Sequence, residues 1–138
     1  MVIRAGRYLT PFDPESRFVP VAAIDIARVV VKILENHEAF GSVIIPITGP
    51  VEVSHIELTG ILARTLEKEI RFEQVSPDEF VKAIGLDSDP SFAAHFTAAR
   101  IDQQEQLLAG VDKTAEQIVG QPLTTPEQFI EAHRQRLV

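Results

Sequence analysis

Polar residues in the segment 22–36 recur at Asp25, Arg28, Lys32 and Glu35, spaced three, four and three apart. On a helix that spacing makes one narrow stripe. The positions between them, from Ile24 to Leu34, are apolar. A surface helix is apolar on one face, whereas this one is apolar over most of its circumference, which predicts packing on at least two sides. Asp25 falls in the first turn, where a carboxylate suits the positive helix end. The Asp25–Arg28 pair therefore reads as helix-end electrostatics.

Other segments follow the same logic. Val2, Ile3, Tyr8 and Leu9 are strand-type residues, and Pro11 with Asp13-Pro14 makes a turn. Arg17-Phe18-Val19 then returns as a short second strand of a loose hairpin. Val43 to Thr48 is an apolar run that does not alternate. It predicts a strand buried on both faces, with Pro46 arguing for an edge or a break in the ladder. Ile70 to Val75 alternates and predicts a half-buried strand. These last two strands, with a helix between them, allow a right-handed parallel crossover or belong to different small sheets.

Three helix starts share a capping signature: Ser54-x-x-Glu57, Ser76-Pro-x-Glu79 and Thr125-Pro-x-Gln128. Behind the first, Leu58, Ile61, Leu62, Thr65 and Leu66 form the expected buried face. Phe92, Ala93, Phe96 and Ala99 mark a packed face further on, whereas Asp102 to Gln106 is polar all round and is expected in solvent. The expected class is α+β, mostly helical, in a single domain over 1–138. Short strands are placed at about 2–9, 17–19, 43–48 and 70–75, and helices at about 22–36, 55–68, 77–84, 91–109, 114–118 and 126–136.

Charge and composition exclude much chemistry. Thirteen Lys and Arg stand against 20 Asp and Glu, a net charge of −7, which disfavours nucleic acid as a partner. With no cysteine, a disulfide scaffold, a thiolate metal site and a cysteine nucleophile are excluded. The glycines are too scattered for a phosphate or dinucleotide loop, and no two histidines have a metal-ligand spacing. Neither a targeting segment nor a membrane-spanning run is visible, so a cytoplasmic protein with no membrane partner is expected. Catalytic, cofactor-binding and metal-binding residues are none. A cavity for a small apolar ligand is expected among Tyr8, Phe12, Phe92, His95 and Phe96, which combine aromatic rings with few polar groups. The same rings serve equally well as ordinary core.

Several segments carry a family resemblance through their order and spacing. They are Gly6 and Pro11, then Phe18 to Ala27 running into Asp25-Ile26-Ala27, then Ile47-Thr48-Gly49-Pro50 followed by Ser54-His55-Ile56-Glu57. Arg71 to Phe80 comes next, and Gly120-Gln121-Pro122 precedes Phe129 to Arg134. In this order they resemble the C-terminal half of NmrA-like proteins, atypical members of the short-chain dehydrogenase superfamily. The match covers nearly all of the chain. It departs at Leu66 to Ile70, where the family usually has a glycine between helix and strand.

The resemblance implies that NAD(P) binding and the reductase residues belong to an N-terminal Rossmann half that this sequence does not contain. What remains is the part that closes over the substrate, plus a strand that joins the edge of the main sheet. The expected function is therefore a detached or truncated substrate-binding portion of an NAD(P)-dependent oxidoreductase, not catalytic alone. It has no cofactor of its own; NAD(P) is implied only for full-length members. The alternative is a non-enzymatic small-molecule-binding or redox-sensing module that self-associates. Expected partners are a second copy in a homo-oligomer (a homodimer in the simplest case) or a separate Rossmann-containing chain.

Overall fold

The computed structural model describes residues 2–137, so the ends of the expected 1–138 domain lie outside the described residues. Strands β1 (Val2–Arg4) and β2 (Arg7–Thr10) form an antiparallel hairpin around Ala5 and Gly6. Both turn residues have positive φ, +48° and +71°, as the tight hairpin turn that suits twisted strands requires. The hairpin thus lies inside the single strand expected at 2–9. Strand β3 (Arg17–Phe18) does not return to it. Instead it pairs antiparallel with β4 (Val53–Ser54).

Strand β5 (Arg71–Gln74) lies parallel to β2, in the register Tyr8 to Phe72, giving the order β1-β2-β5. The parallel partner of 70–75 is therefore β2, not the run 43–48. Residues 43–48 form no strand at all. Val43 is 63% exposed and Ile44 fully exposed. A strand needs a neighbour to take its N–H and C=O groups, and no sheet edge of the described residues stands beside this run. Ile47 packs against the second core.

The helices are α1 (Ala23–Glu35), α2 (His37–Phe40), α3 (His55–Leu66), α4 (Pro77–Ala83), α5 (Ser91–Gln104), α6 (Thr114–Val119), α7 (Pro126–Ala132) and α8 (Arg134–Leu137). All three capping boxes are formed, so α3, α4 and α7 begin where the sequence pattern places them. Helix α5 ends five residues before the expected 109: Gln106 takes a positive φ of +58° and the chain turns. The expected helix 126–136 is broken at His133. Its ring stacks on Phe129 at 4.2 Å, and Nδ1 lies 2.8 Å from the Phe129 carbonyl. No helix among the described residues is long and apolar enough to cross a membrane.

Two cores result. The first joins Tyr8, Val53, Leu58, Ile61, Leu62, Leu66 and Ile130, so α3 lies between the sheet and α7. The second joins Val29 of α1 with Ala115 and Leu123. Helix α1 is not packed on the two sides that its pattern predicts. Asp25 and Val29 face inward with no exposed surface, while Ile24, Val30, Val31 and Leu34 are exposed. One flank of α1 is packed by α6, and its broad apolar face lies open.

Asp25 is more than a helix-end charge. Its carboxylate accepts a 2.7 Å bond from the Thr124 backbone N–H and a 2.9 Å bond from Arg28. It thereby ties the start of α1 to the approach to α7. The loop before β4 is held as closely. A Cβ on Gly49 would lie 1.8 Å from the Pro20 carbonyl oxygen, a backbone atom that cannot swing aside. Gly60, by contrast, faces only the flexible end of Arg64. Gly49→Ala is expected to lower the unfolding free energy by about 3 kcal/mol. Gly60→Ala is expected to raise it by up to about 1 kcal/mol. Urea denaturation of both variants checks the contrast.

Candidate functional site

Beside the first core, which contributes Tyr8, Leu58 and Ile130 to its wall, lies an open cavity of about 660 Å³. Its walls come from Tyr8, Leu9, Thr10 and Phe12, from Phe18 and the stretch Pro20 to Ala22, and from His55 and Leu58 at the start of α3. Phe80, Ile84, Phe96 and Gln103 close it from α4 and α5, and residues of the segment 124–130 complete it. Five of the chain's eight phenylalanines line this one space. None of the lining residues is Lys, Arg, Asp or Glu. The volume falls in the usual range of small-molecule pockets, about 300–1,000 Å³.

Of the residues expected at such a cavity, Tyr8, Phe12 and Phe96 line it. Phe92 and His95 do not. Helix α5 faces the cavity through Phe96 and Gln103, seven residues apart and so on one side of the helix. His95 is rotated off that side by about 100° and is exposed, touching only the edge of Phe96 at 5.3 Å. Phe92 is half-buried a turn nearer the start of α5.

The polar feature of the cavity is a relay on His55, the first residue of α3. Its Nδ1 lies 2.8 Å from the Tyr8 hydroxyl, and its Nε2 lies 2.9 Å from Gln103 Oε1. The same Gln103 oxygen accepts from Ser16 Oγ at 3.0 Å. The Gln103 amide is placed with its oxygen toward His55, and that orientation sets the tautomer: Nε2–H donates and Nδ1 accepts from Tyr8. The imidazole also stacks on Phe18 at 4.4 Å and Phe12 at 5.2 Å. Gln103 was expected in solvent, yet it is only 4% exposed. The loop carrying Phe12 is held beside it, because Asp13 accepts from Gln104 at 2.5 Å and from Gln74 at 3.2 Å.

The spacing 92, 96, 99, 103 on α5 carried the signal for Gln103, since it continues the packed face by one turn. For His55 the signal was weaker. It begins the series 55, 58, 62, 66 along the buried side of α3, but the capping box accounts for the surrounding residues without it.

Burial sets the protonation of the relay. It pushes the Tyr8 hydroxyl up to about 12, against a hydrogen bond from Thr10 that lowers it. It also holds His55 below the usual histidine range, although the Gln103 bond and the Asp13 charge oppose it. Near neutral pH both groups are therefore uncharged. Neither is a charged base, and because Tyr8 gives its one proton to His55, its oxygen faces a ligand as an acceptor.

No family model matches the chain. Over 91 residues it is 34% identical to Prestalk A differentiation protein A of Dictyostelium discoideum, covering 62% of this chain and 29% of that protein. Among solved structures, a nucleoside-diphosphate-sugar epimerase from Staphylococcus aureus superposes with a TM-score of 0.71 at 22% identity, over 91% of this chain and 43% of the other. An NADPH-dependent quinone oxidoreductase from Escherichia coli gives a TM-score of 0.71 at 14% identity, over 92% and 46%. The chain shares the fold of part of each. It spans less than half the length of every one of these proteins.

Two stability effects follow from the relay. Tyr8→Phe leaves His55 Nδ1 buried without a donor and is expected to cost about 1–3 kcal/mol. The folded state keeps His55 neutral, while the unfolded chain takes up its proton near pH 6.5. The His55 contribution is thus fully present above about pH 6.5 and is lost as pH falls through the lower folded value. For Tyr8 the sign reverses: stability is lost as pH rises from about 10 toward 12. Denaturation of wild type across pH checks both limbs, with His55→Leu losing the acid one and Tyr8→Phe the alkaline one.

Proposed function

We propose that the chain is the substrate-binding portion of an NAD(P)-dependent oxidoreductase of the NmrA-like kind and does not complete a turnover alone. The observation that carries this reading is the uncharged, aromatic-walled cavity with its Tyr8–His55–Gln103 relay. The fold shared with part of two proteins named as an epimerase and an NADPH-dependent oxidoreductase supports it. The cofactor would be held by a Rossmann half, because this sequence has no glycine-rich turn to present N–H groups to a pyrophosphate. On this reading the open face of α1 and the unpaired run 43–48 are the surfaces that such a half covers.

A second reading is a small-molecule-binding or redox-sensing module without turnover that covers the same surfaces with a second copy. The exposure of Ile24, Val30, Val31 and Leu34 on one helix favours it, since large apolar patches mark interfaces. Light scattering over a range of concentrations separates the readings, with a concentration-dependent dimer favouring the second.

The cavity itself is tested with the uncharged fluorophore N-phenyl-1-naphthylamine. One bound probe per chain is expected, with binding weakened at least tenfold by Ile84→Trp, which fills the cavity from its wall. NADPH fluorescence is expected to stay unchanged on adding the isolated chain. Stoichiometric enhancement of NADPH would overturn the assignment of the cofactor to another half.

A further inference from the structure

Gln103 has a hydrogen-bonding capacity that the relay leaves unused. Its side chain is almost wholly buried, and its Oε1 accepts from both His55 and Ser16. Its Nε2 has no hydrogen-bond partner among the described residues, and it is not closed off from solvent as Arg100 Nε is. The residue lines the cavity. Its amide protons have no protein acceptor and are left for water or for a ligand that enters the cavity.

We propose that Gln103 is the specificity-determining residue of the cavity, donating from Nε2 to an acceptor oxygen on an uncharged, flat ring ligand. The proposal rests on the reading of the cavity as a small-molecule site. Each part of the ligand description has its own source. The oxygen follows from the free donor. The flat ring follows from Phe12, Phe18, Phe96 and Phe129 around the space, since rings are held well by stacked and edge-on neighbours. The absence of charge follows from the lining, which has no cation to match a phosphate or carboxylate and no carboxylate to match an amine. A ketone or quinone-type carbonyl on an aromatic frame meets all three conditions. A nucleoside diphosphate fails the third, because no cation on the walls this chain supplies meets its phosphates.

His55 and Ser16 fix the orientation of the amide. Both bond Oε1, so the amide is held from turning over and Nε2 stays the end left free. Gln103→Glu keeps an oxygen for both partners and replaces the donor with an acceptor. Gln103→Met removes both ends at similar volume. The pair therefore separates loss of the ligand donor from loss of the relay.

The test uses two probes of nearly the same shape, 2-acetylnaphthalene and 2-isopropylnaphthalene, displacing N-phenyl-1-naphthylamine at pH 8. Circular dichroism and melting confirm that each variant is folded. Both variants are expected to weaken the ketone about fivefold to tenfold relative to wild type while leaving the hydrocarbon unchanged, the size of one neutral hydrogen bond. Uridine diphosphate is expected to displace nothing. Equal effects on both probes, a ketone-specific loss in Gln103→Met alone, or displacement by uridine diphosphate would each overturn the proposal while the small-molecule site stands. If wild type fails to bind the naphthylamine, the cavity reading fails and this inference falls with it.

Discussion

The imidazole of His55 is the constraint around which the molecule is arranged. A buried histidine must have both ring nitrogens bonded, and here the partners come from opposite sides. Tyr8 supplies one from β2 and Gln103 the other from the end of α5. Phe12 and Phe18 stack on its faces from a loop and from β3. Four separate stretches of chain are thereby held at fixed distances from the first residue of α3. The capping box at Ser54 and Glu57 fixes that residue in turn, so a local helix-start signal anchors a set of long-range contacts.

Much of the chain was legible because its signals are local. Caps at Ser54, Ser76 and Thr125 report on three or four neighbouring residues, and the structure forms all of them. The buried side of α3 follows from spacing alone, with Leu58, Ile61, Leu62 and Leu66 inside as expected. Asp25 was read only in part, because a carboxylate in a first turn paired with Arg28 has a sufficient local explanation. Its second partner, the Thr124 N–H, lies 99 residues away. The run 43–48 was misread for a related reason. Its residues have strand character, but a strand exists only beside another, and pairing is not a property of six residues.

The cavity shows the same division. Tyr8, Phe12 and Phe96 were identifiable as rings that share a space, whereas Phe92 and His95 lie on the wrong turn or the wrong side of α5. Phe80 and Phe129 reach the cavity from helices distant in sequence, and nothing local marks them. The contrast in charge is also informative. A chain of net charge −7 encloses a cavity with no ionisable carboxylate or cation in its walls. Its acidic residues stand at helix starts, in surface ion pairs and in loop ties, where water or a hydrogen-bond donor meets them.

The Asp25 link adds a second tie between α1 and the cavity wall, beside the chain itself at Ala22. On one side of α1 is the open apolar face; at its inner end the carboxylate grips the backbone of Thr124, which lines the cavity. A charge-assisted bond of 2.7 Å is stronger than a neutral one and resists being lengthened. Helix α1 and that part of the cavity wall therefore move together. Anything that settles on the helix and shifts it does mechanical work on the pocket. If a partner on the helix changes affinity in the pocket, linkage requires that an occupant of the pocket change that partner's affinity by the same factor.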